Sequence, residues 1–281
     1  MYPELLETQT PKCYWYEEDC FKNLPFHYVN AYIHNDYNFK MHAHEFYEIN
    51  VIIGGSGRHY IEKNNLPAHI GDIFVIPPDI HHGYYSENSL DIFHVLLKSD
   101  FLAQYGEALT QSPGFALLFD IEPQLRQASG KKYNLHVDHN LLSTLKNELN
   151  RIQKAETEQH FVYQNALALG FVAELGILFS NTFPQPKKSL PSETDILHVM
   201  EYIKSNLDRK ITLDALAAIA HMSKATLNRY FQEILQISPM RYVTECRTAK
   251  AKELLKQKKF NKTEIAQICG FFDINHLNKY L

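Results

Sequence analysis

At 281 residues, with 45% hydrophobic and 21% charged residues and a formal charge of −4, the chain has the balance of a folded globular protein long enough for two domains. The start, MYPELLETQT, lacks the basic stretch and apolar run of a secretory leader, and Ala166 to Phe179 is too short, and too interrupted by Glu174, to span a bilayer. Cys13, Cys20, Cys246 and Cys269 have neither zinc nor redox spacing, so the expectation is a cytoplasmic protein with reduced thiols and no membrane partner.

From about Phe26 to Leu97 the chain reads as short strands, among them Tyr47 to Ile53, Arg58 to Ile61, Ile73 to Ile76 and Leu90 to Leu97. Breaks fall at GGSG, IGD and PPD, a pattern that suits a compact barrel or sandwich. Nine of the fifteen histidines lie between His27 and His94. His42 and His44 are two apart, so on a strand they face one side; with Glu48 and His82 they supply ligands that suit a divalent transition metal. Other histidines, such as His59 and His69, are expected at the surface or in ordinary hydrogen bonds.

The order His42-x-His44-x-x-x-Glu48, then Gly55, Gly71-Asp72, Pro77 and His82, resembles the two motifs of the cupin barrel. That resemblance places His42, His44, Glu48 and His82 at the ligand positions. Asp36 stands where the first motif begins with glycine, and Asp79 replaces the glycine of the second. Phe46, Tyr60, Phe74 and Tyr84 are rings that could line the barrel mouth around a small effector such as a sugar, or simply fill the core. A metal-dependent cupin enzyme, an oxygenase or isomerase, is the alternative that these residues keep open.

Beyond Leu97, short helices are expected at Ser99 to Leu109 and Phe115 to Phe119. A longer one from Asp138 to Ala155 carries Leu141, Leu142, Leu145, Leu149 and Ile152 at helical spacing. The next, from about Glu158 to Phe179, is apolar on more than one face and needs cover from two sides. FPQPKKSLPSET, from Phe183, reads as a linker, and a new helix near Asp195 places Ile196, Val199, Ile203 and Leu207 on one face.

The segment from 211 to 281 repeats itself. ITLDALAAIAHMSKATLNRYF and KTEIAQICGFFDINHLNKYL share Leu216-Ala217-x-Ile219-Ala220 with Ile265-Ala266-x-Ile268-Cys269, and Leu227 with Leu277. Thr212 and Asn261 suit the first helix of each copy, with Glu264 at capping-box spacing, and Ser223 and Asp273 can cap the second. Two helices joined by such a turn suit a helix-turn-helix, whose second helix enters the major groove. The side chains placed to meet DNA are Ser223, Lys224, Ala225, Thr226, Asn228 and Arg229 in the first copy, and Ile274, Asn275, Asn278 and Lys279 in the second. Asn suits adenine, and Arg or Lys suits guanine.

Between the copies, Pro239 to about Lys256 places Met240, Val243, Ala249, Leu254 and Leu255 at helical spacing. From Thr194 onward, 14 Lys and Arg face 9 Asp and Glu, so an acidic protein confines its net positive charge to the segment with the repeat, as contact with double-stranded DNA requires. Residues 194–281 resemble the DNA-binding domain of AraC-type transcription regulators, through LAAIAHMSKATLNRYFQEILQISPMRYV, RTAKAKELL and TEIAQICGFFDINHLNKYL.

The resemblance implies an α+β protein of two domains, with a cupin-like sensor at 1–137, dimerising helices at 138–182, a linker at 183–193 and a DNA-binding domain at 194–281. It also implies homodimers, a small-molecule effector, RNA polymerase as a further partner and no required cofactor. The family pattern continues beyond the position of Leu281, so the second motif is expected to be truncated and to expose apolar surface. A dimerising partner without DNA affinity is the corresponding alternative.

Overall fold

Alternating β-branched and aromatic residues pair into an eight-stranded sheet: β1 (Cys13–Trp15), β2 (Val29–His34), β3 (Phe39–His44), β4 (Tyr47–Ile61), β5 (Asn64–His69), β6 (Asp72–Ile76), β7 (His82–Leu97) and β8 (Leu135–His136). The order is β1-β3-β7-β4-β6-β8, with β2 also on β7 and β5 also on β4. The computed structural model describes residues 13–62, 64–112, 114–123, 126, 134–182, 193–235, 237–257 and 260–281. The chain divides into two units, Met1–Phe183 and Pro184–Leu281.

Strands β4 and β7 carry the first unit. They pair antiparallel from Tyr47 opposite Leu97 to Ile61 opposite His82, and each changes its other neighbour part-way along. β6 pairs with Glu48 to Val51 and β5 with Ser56 to Ile61, while β2 takes the C-terminal half of β7 and β3 its start. The expected break at GGSG is instead a run of bulges within one strand, with register shifts between Ile52 and Gly57. Gly55 has φ +68°, and a Cβ there would meet the carbonyl oxygens of Asn88 and Ser89, so only glycine lets the paired strand pass.

Asp36 and Asp79, the departures from the cupin glycines, also have positive φ, 47° and 65°. Aspartate is among the residues that tolerate these left-handed positions, and here each carboxylate is held by a residue distant in sequence. The Asp36 carboxylate accepts from Ser86 Oγ (2.7 Å), and the Asp79 carboxylate accepts from the Tyr14 hydroxyl (2.7 Å).

A short α1 (Glu17–Cys20) precedes β2, and α2 (Ser99–Thr110) follows β7. The short helix expected at Phe115 to Phe119 continues as a π-helical turn, Leu117–Ile121. α3 (His139–Thr157) starts at the Asp138 carboxylate, which accepts from Leu141 N–H, and buries Leu142, Leu145, Leu149, Ile152 and Ala155. Gln159, at φ 59°, ends that run, so the next helix, α4 (Phe161–Thr182), begins later than expected.

Length and apolar character alone would let α4 cross a membrane. In this unit it is a packing helix: Ala168, Phe171, Val172, Leu175 and Phe179 are buried. Gln164 donates to Glu156 and Asn165 donates to the Phe26 carbonyl.

The second unit is helical: α5 (Glu193–Ser205), α6 (Leu213–Ile219), α7 (Lys224–Leu235), α8 (Pro239–Gln257), α9 (Lys262–Ile268) and α10 (Ile274–Asn278). Most of the proline-rich linker, 183–192, lies outside the described residues. Ile196, Val199, Ile203 and Leu207 are buried as expected. On α8, Met240 and Ala249 prove exposed, and Tyr242 and Ala251 take the inward places, because 3.6 residues per turn carries the face through 239, 242, 243 and 251. The 19 residues of α8 make a rod about 28 Å long. Arg247, at its middle, donates through Nε to the Leu207 carbonyl (3.0 Å) and through Nη2 to the Arg209 carbonyl (2.7 Å).

Candidate functional site

The two copies of the repeat fold alike to the level of single hydrogen bonds. α6 is capped by the Thr212 hydroxyl, which accepts from Ala215 N–H, and α9 by Asn261 in a capping box with Glu264. Each first helix ends on a left-handed residue, His221 (φ 50°) or Gly270 (φ 71°). The next N–H bonds back to the carbonyl five residues earlier, Met222 to Ala217 (3.0 Å) and Phe271 to Ala266 (2.8 Å), which closes both helices with the same C-terminal motif. Ser223 Oγ then accepts from Thr226 N–H, and Asp273 Oδ1 from His276 N–H, so both expected caps start the second helices.

Burial of Leu227 and Leu277, both 0% exposed, holds α7 and α10 against their partners. The opposite faces present the residues named from the sequence. Ser223, Lys224, Ala225 and Arg229 are exposed, as are Asn275, Asn278 and Lys279, while Thr226, Asn228 and Ile274 are half-buried. Two are engaged locally: Asn228 donates its amide to the Lys224 carbonyl (3.0 Å), and Lys224 Nζ pairs with Asp214 (2.8 Å). Both Lys224 and Asp214 are exposed, so that ion pair is weak and yields readily to a phosphate. The second copy also keeps a core of its own: Ala251, Ile265, Ala266, Cys269, Phe271 and Leu277 are buried together, with Leu254 and Leu255 against them.

In the sheet-rich unit the four expected ligands converge. Ligand atoms of His42, Glu48 and His82 lie within 4.8 Å of one another, and all three residues are buried. Glu48 Oε2 is 3.4 Å from His44 Nε2 and 3.3 Å from His82 Nε2, spacings close to the edge of a tetrahedron built on metal bonds of about 2.1 Å. His44 Nδ1 hydrogen-bonds the Phe46 carbonyl (2.7 Å), which makes Nδ1 the donor and aims the Nε2 lone pair at the carboxylate. Among the described residues, His44 Nε2, His82 Nε2 and Glu48 Oε2 have no hydrogen-bond partner. Buried acceptors facing one another in this way are the donor set a cation satisfies, so the residues fit a divalent transition metal.

Two further histidines belong to this interior. His94 Nδ1 bonds Glu48 Oε1 (2.8 Å), holding the carboxylate from behind, and its ring stacks on Tyr32. His59, expected at the surface or in an ordinary hydrogen bond, is fully buried, stacked on Tyr84 at 4.4 Å, and neither of its ring nitrogens is hydrogen-bonded. It alternates inward along β4. His69 is exposed beside Asp72, as expected.

Burial alone would raise the Glu48 carboxyl, but His44, His94 and His82 outweigh it and hold it well below the usual carboxylate range. Burial, reinforced by the Arg126 charge at His59 and by His42 at His82, keeps both imidazoles neutral well below their ordinary value.

The four aromatic residues named as pocket lining do not act together. Phe74 and Tyr84 share a buried cluster with Tyr37, Ile52, Ala68, Leu90 and Ile92. Phe46 packs elsewhere, with Phe21 and Leu96 and against His44, and Tyr60 is half-buried on the other side of the strand from His59. Beside Phe74 and Tyr84 the structure places polar groups not singled out in the sequence. Asn50 donates to the Tyr84 hydroxyl (3.2 Å), Arg126 lies over the Phe74 ring at 5.3 Å, and Glu122 pairs with Arg126 at 3.2 Å, both fully buried. Burial lifts the Glu122 carboxyl to about 7 against the opposing pull of Arg126.

Comparison with known proteins separates the same two parts. Residues 27–164 match the family model of the AraC-like ligand binding domain, and residues 216–281 match that of a helix-turn-helix domain. The chain belongs to the AraC family of transcription regulators.

Among its relatives, the HTH-type transcriptional activator RhaS of Escherichia coli O81 (strain ED1a) is 24% identical over 243 residues, 86% of this chain and 82% of the relative. A solved structure of wild-type ToxT from Vibrio cholerae strain SCE256, with unsaturated fatty acid bound, is 14% identical over 90% of each chain, with a TM-score of 0.42. A probable AraC family transcriptional regulator from Rhodopseudomonas palustris CGA009 is 30% identical over 31% of this chain and 84% of that one, with a TM-score of 0.29. As an AraC-family protein, the chain is a DNA-binding transcription regulator: its sheet-rich domain is the ligand-binding part and its helical domain carries the helix-turn-helix motifs.

Proposed function

We propose that this AraC-family regulator reads two successive major grooves with α7 and α10, and that a small molecule inside the sheet-rich unit controls the reading. The observation that carries the proposal is the bond-for-bond agreement of the two turns on either side of a 19-residue helix. Arg229, Asn228, Asn278 and Lys279 choose bases. Ser223, Lys224, Ala225, Thr226, Ile274 and Asn275 line the approach, with hydroxyl and ammonium groups on phosphates. Selection from random DNA with the full chain tests this: an enriched sequence of two halves about 10 base pairs apart, bound with strong salt dependence, is expected. Enrichment of no sequence overturns the proposal.

The effector occupies the interior beside Phe74, Tyr84, His59, Asn50 and Arg126, where rings and buried polar groups adjoin as they do around a sugar or another polar metabolite. His42, His44, Glu48 and His82 would hold a divalent transition metal there, and it would supply a Lewis-acidic point for an effector oxygen. Attachment to a DNA-reading unit favours sensing over turnover, and hence a cytoplasmic, non-enzymatic role with RNA polymerase as a further partner. Exposed Val162, Tyr163 and Ile177 on α4 support pairing of two copies through α3 and α4.

For the metal, titration of chelator-stripped protein with Zn²⁺ or Mn²⁺ is expected to show one site per chain. Glu48→Gln should weaken that site on the order of tenfold or more, since it removes the one anionic ligand beside three imidazoles. Unchanged affinity in Glu48→Gln would place any bound metal elsewhere.

A further inference from the structure

Aligned on their bonds, the two turns differ by one residue. In the first, a single residue, Met222, separates the left-handed His221 from the cap Ser223. In the second, two residues, Phe271 and Phe272, separate Gly270 from the cap Asp273. Phe271 takes the part of Met222, since both donate to the carbonyl five positions back, and it is buried at 5% exposure. Phe272 is therefore the added residue, and it is 92% exposed, the most exposed of the large apolar side chains described.

Its position is fixed from both sides. Only glycine fits at 270, because a Cβ there would fall on the Leu207 carbonyl and close to Arg247. Asp273 starts α10, and the Phe272 N–H points back to His276 Nδ1 (3.4 Å). A benzyl group is thus held in water just ahead of the helix that the proposed function, on which this step rests, lays in the major groove. Residues at the start of such a helix reach base edges. A ring that neither donates nor accepts finds one apolar feature in that groove, the C5 methyl of thymine. Exposed Asn278, one of the residues that choose bases, suits adenine, so the surroundings favour A·T pairs.

We infer that Phe272 is a specificity residue of the second motif and reads a thymine methyl group. In the DNA sequence selected by the full chain, each thymine is replaced in turn by deoxyuridine, which removes the methyl and keeps the base pair. One position should cost the wild-type protein about fourfold in affinity, the worth of burying one methyl-sized group. Phe272→Ala should bind the thymine and uracil forms of that position equally, and Phe272→Leu should keep part of the difference. Because the side chain packs against little, both variants should fold, as circular dichroism will show.

If no thymine is sensitive, or if Phe272→Ala keeps the wild-type ratio between thymine and uracil, the inference fails while the two-groove reading stands. If the chain selects no sequence at all, the reading itself falls, and this inference with it.

Discussion

Replacing Arg229 with alanine weakens binding to the selected site by about 1 to 3 kcal/mol and leaves binding to unrelated DNA nearly unchanged. Arg229 is exposed on α7, two residues beyond the buried anchor Leu227. Its neighbours Asn228 and Lys224 are already engaged within the unit, the one through the Lys224 carbonyl and the other through Asp214. A guanidinium free to fork onto guanine contributes two parallel bonds that no other base pair offers in the same place, so its loss falls on one sequence. Competition assays on the selected site and on scrambled DNA at one salt concentration measure this. A similar loss on both would mean that Arg229 touches only phosphate, and the salt slope would then drop by about one.

Acidification of metal-stripped protein from pH 6.5 to 4.5 should destabilise the sheet-rich unit. His59 and His82 are held neutral well below the ordinary value of 6.5, chiefly by burial. The unfolded chain takes up those protons as the pH falls below 6.5 and the folded chain does not, so stability present above 6.5 is lost on the way down. Glu122 works in the opposite sense. Its carboxyl is raised from 4.5 to about 7, so its contribution is present at low pH and disappears between those values as pH rises.

Two imidazoles act against one carboxyl, so the unfolded state takes up more protons over this range and stability falls with the pH. Glu48, depressed by its histidines, adds to the loss only below about 4.5. Denaturant melts followed at each pH are the measurement, and His59→Phe should flatten the dependence. A midpoint that holds steady or rises on acidification would show that these imidazoles are charged in the folded state.

The repeat could be read from the chain because it is written in local chemistry. Caps such as Asn261 with Glu264, and a glycine at the break, act within a few residues of where they stand. His42, His44, Glu48 and His82 were legible for a similar reason, since strand alternation puts the first two on one side and the remainder follow a spaced motif. His59, His94, Asn50 and Arg126 carry no such pattern. Each is an isolated polar residue until the register of β4 with β7 and the return of residue 126 bring it inside.

Continuity of β4 through GGSG was hidden as well, because glycines that signal a turn in one strand are, beside a long partner, the means of passing its carbonyls. Phe272 lay in plain view, but apolar pairs aligned by type absorb an extra residue. Only the bonds of the two turns expose it.

Arg247 bolts the lead-in of the first motif to the middle of the connecting rod, and Gly270 seats the second turn on the same Leu207 carbonyl. On the proposed reading of two grooves, these contacts among the described residues would set α7 and α10 as a gauge of fixed opening. Each base pair inserted between the halves of a site rotates one half by about 35° relative to the other, beyond what side chains can follow. If the proposed reading holds, the count of bases separating the halves is as much a part of the address as the letters within them.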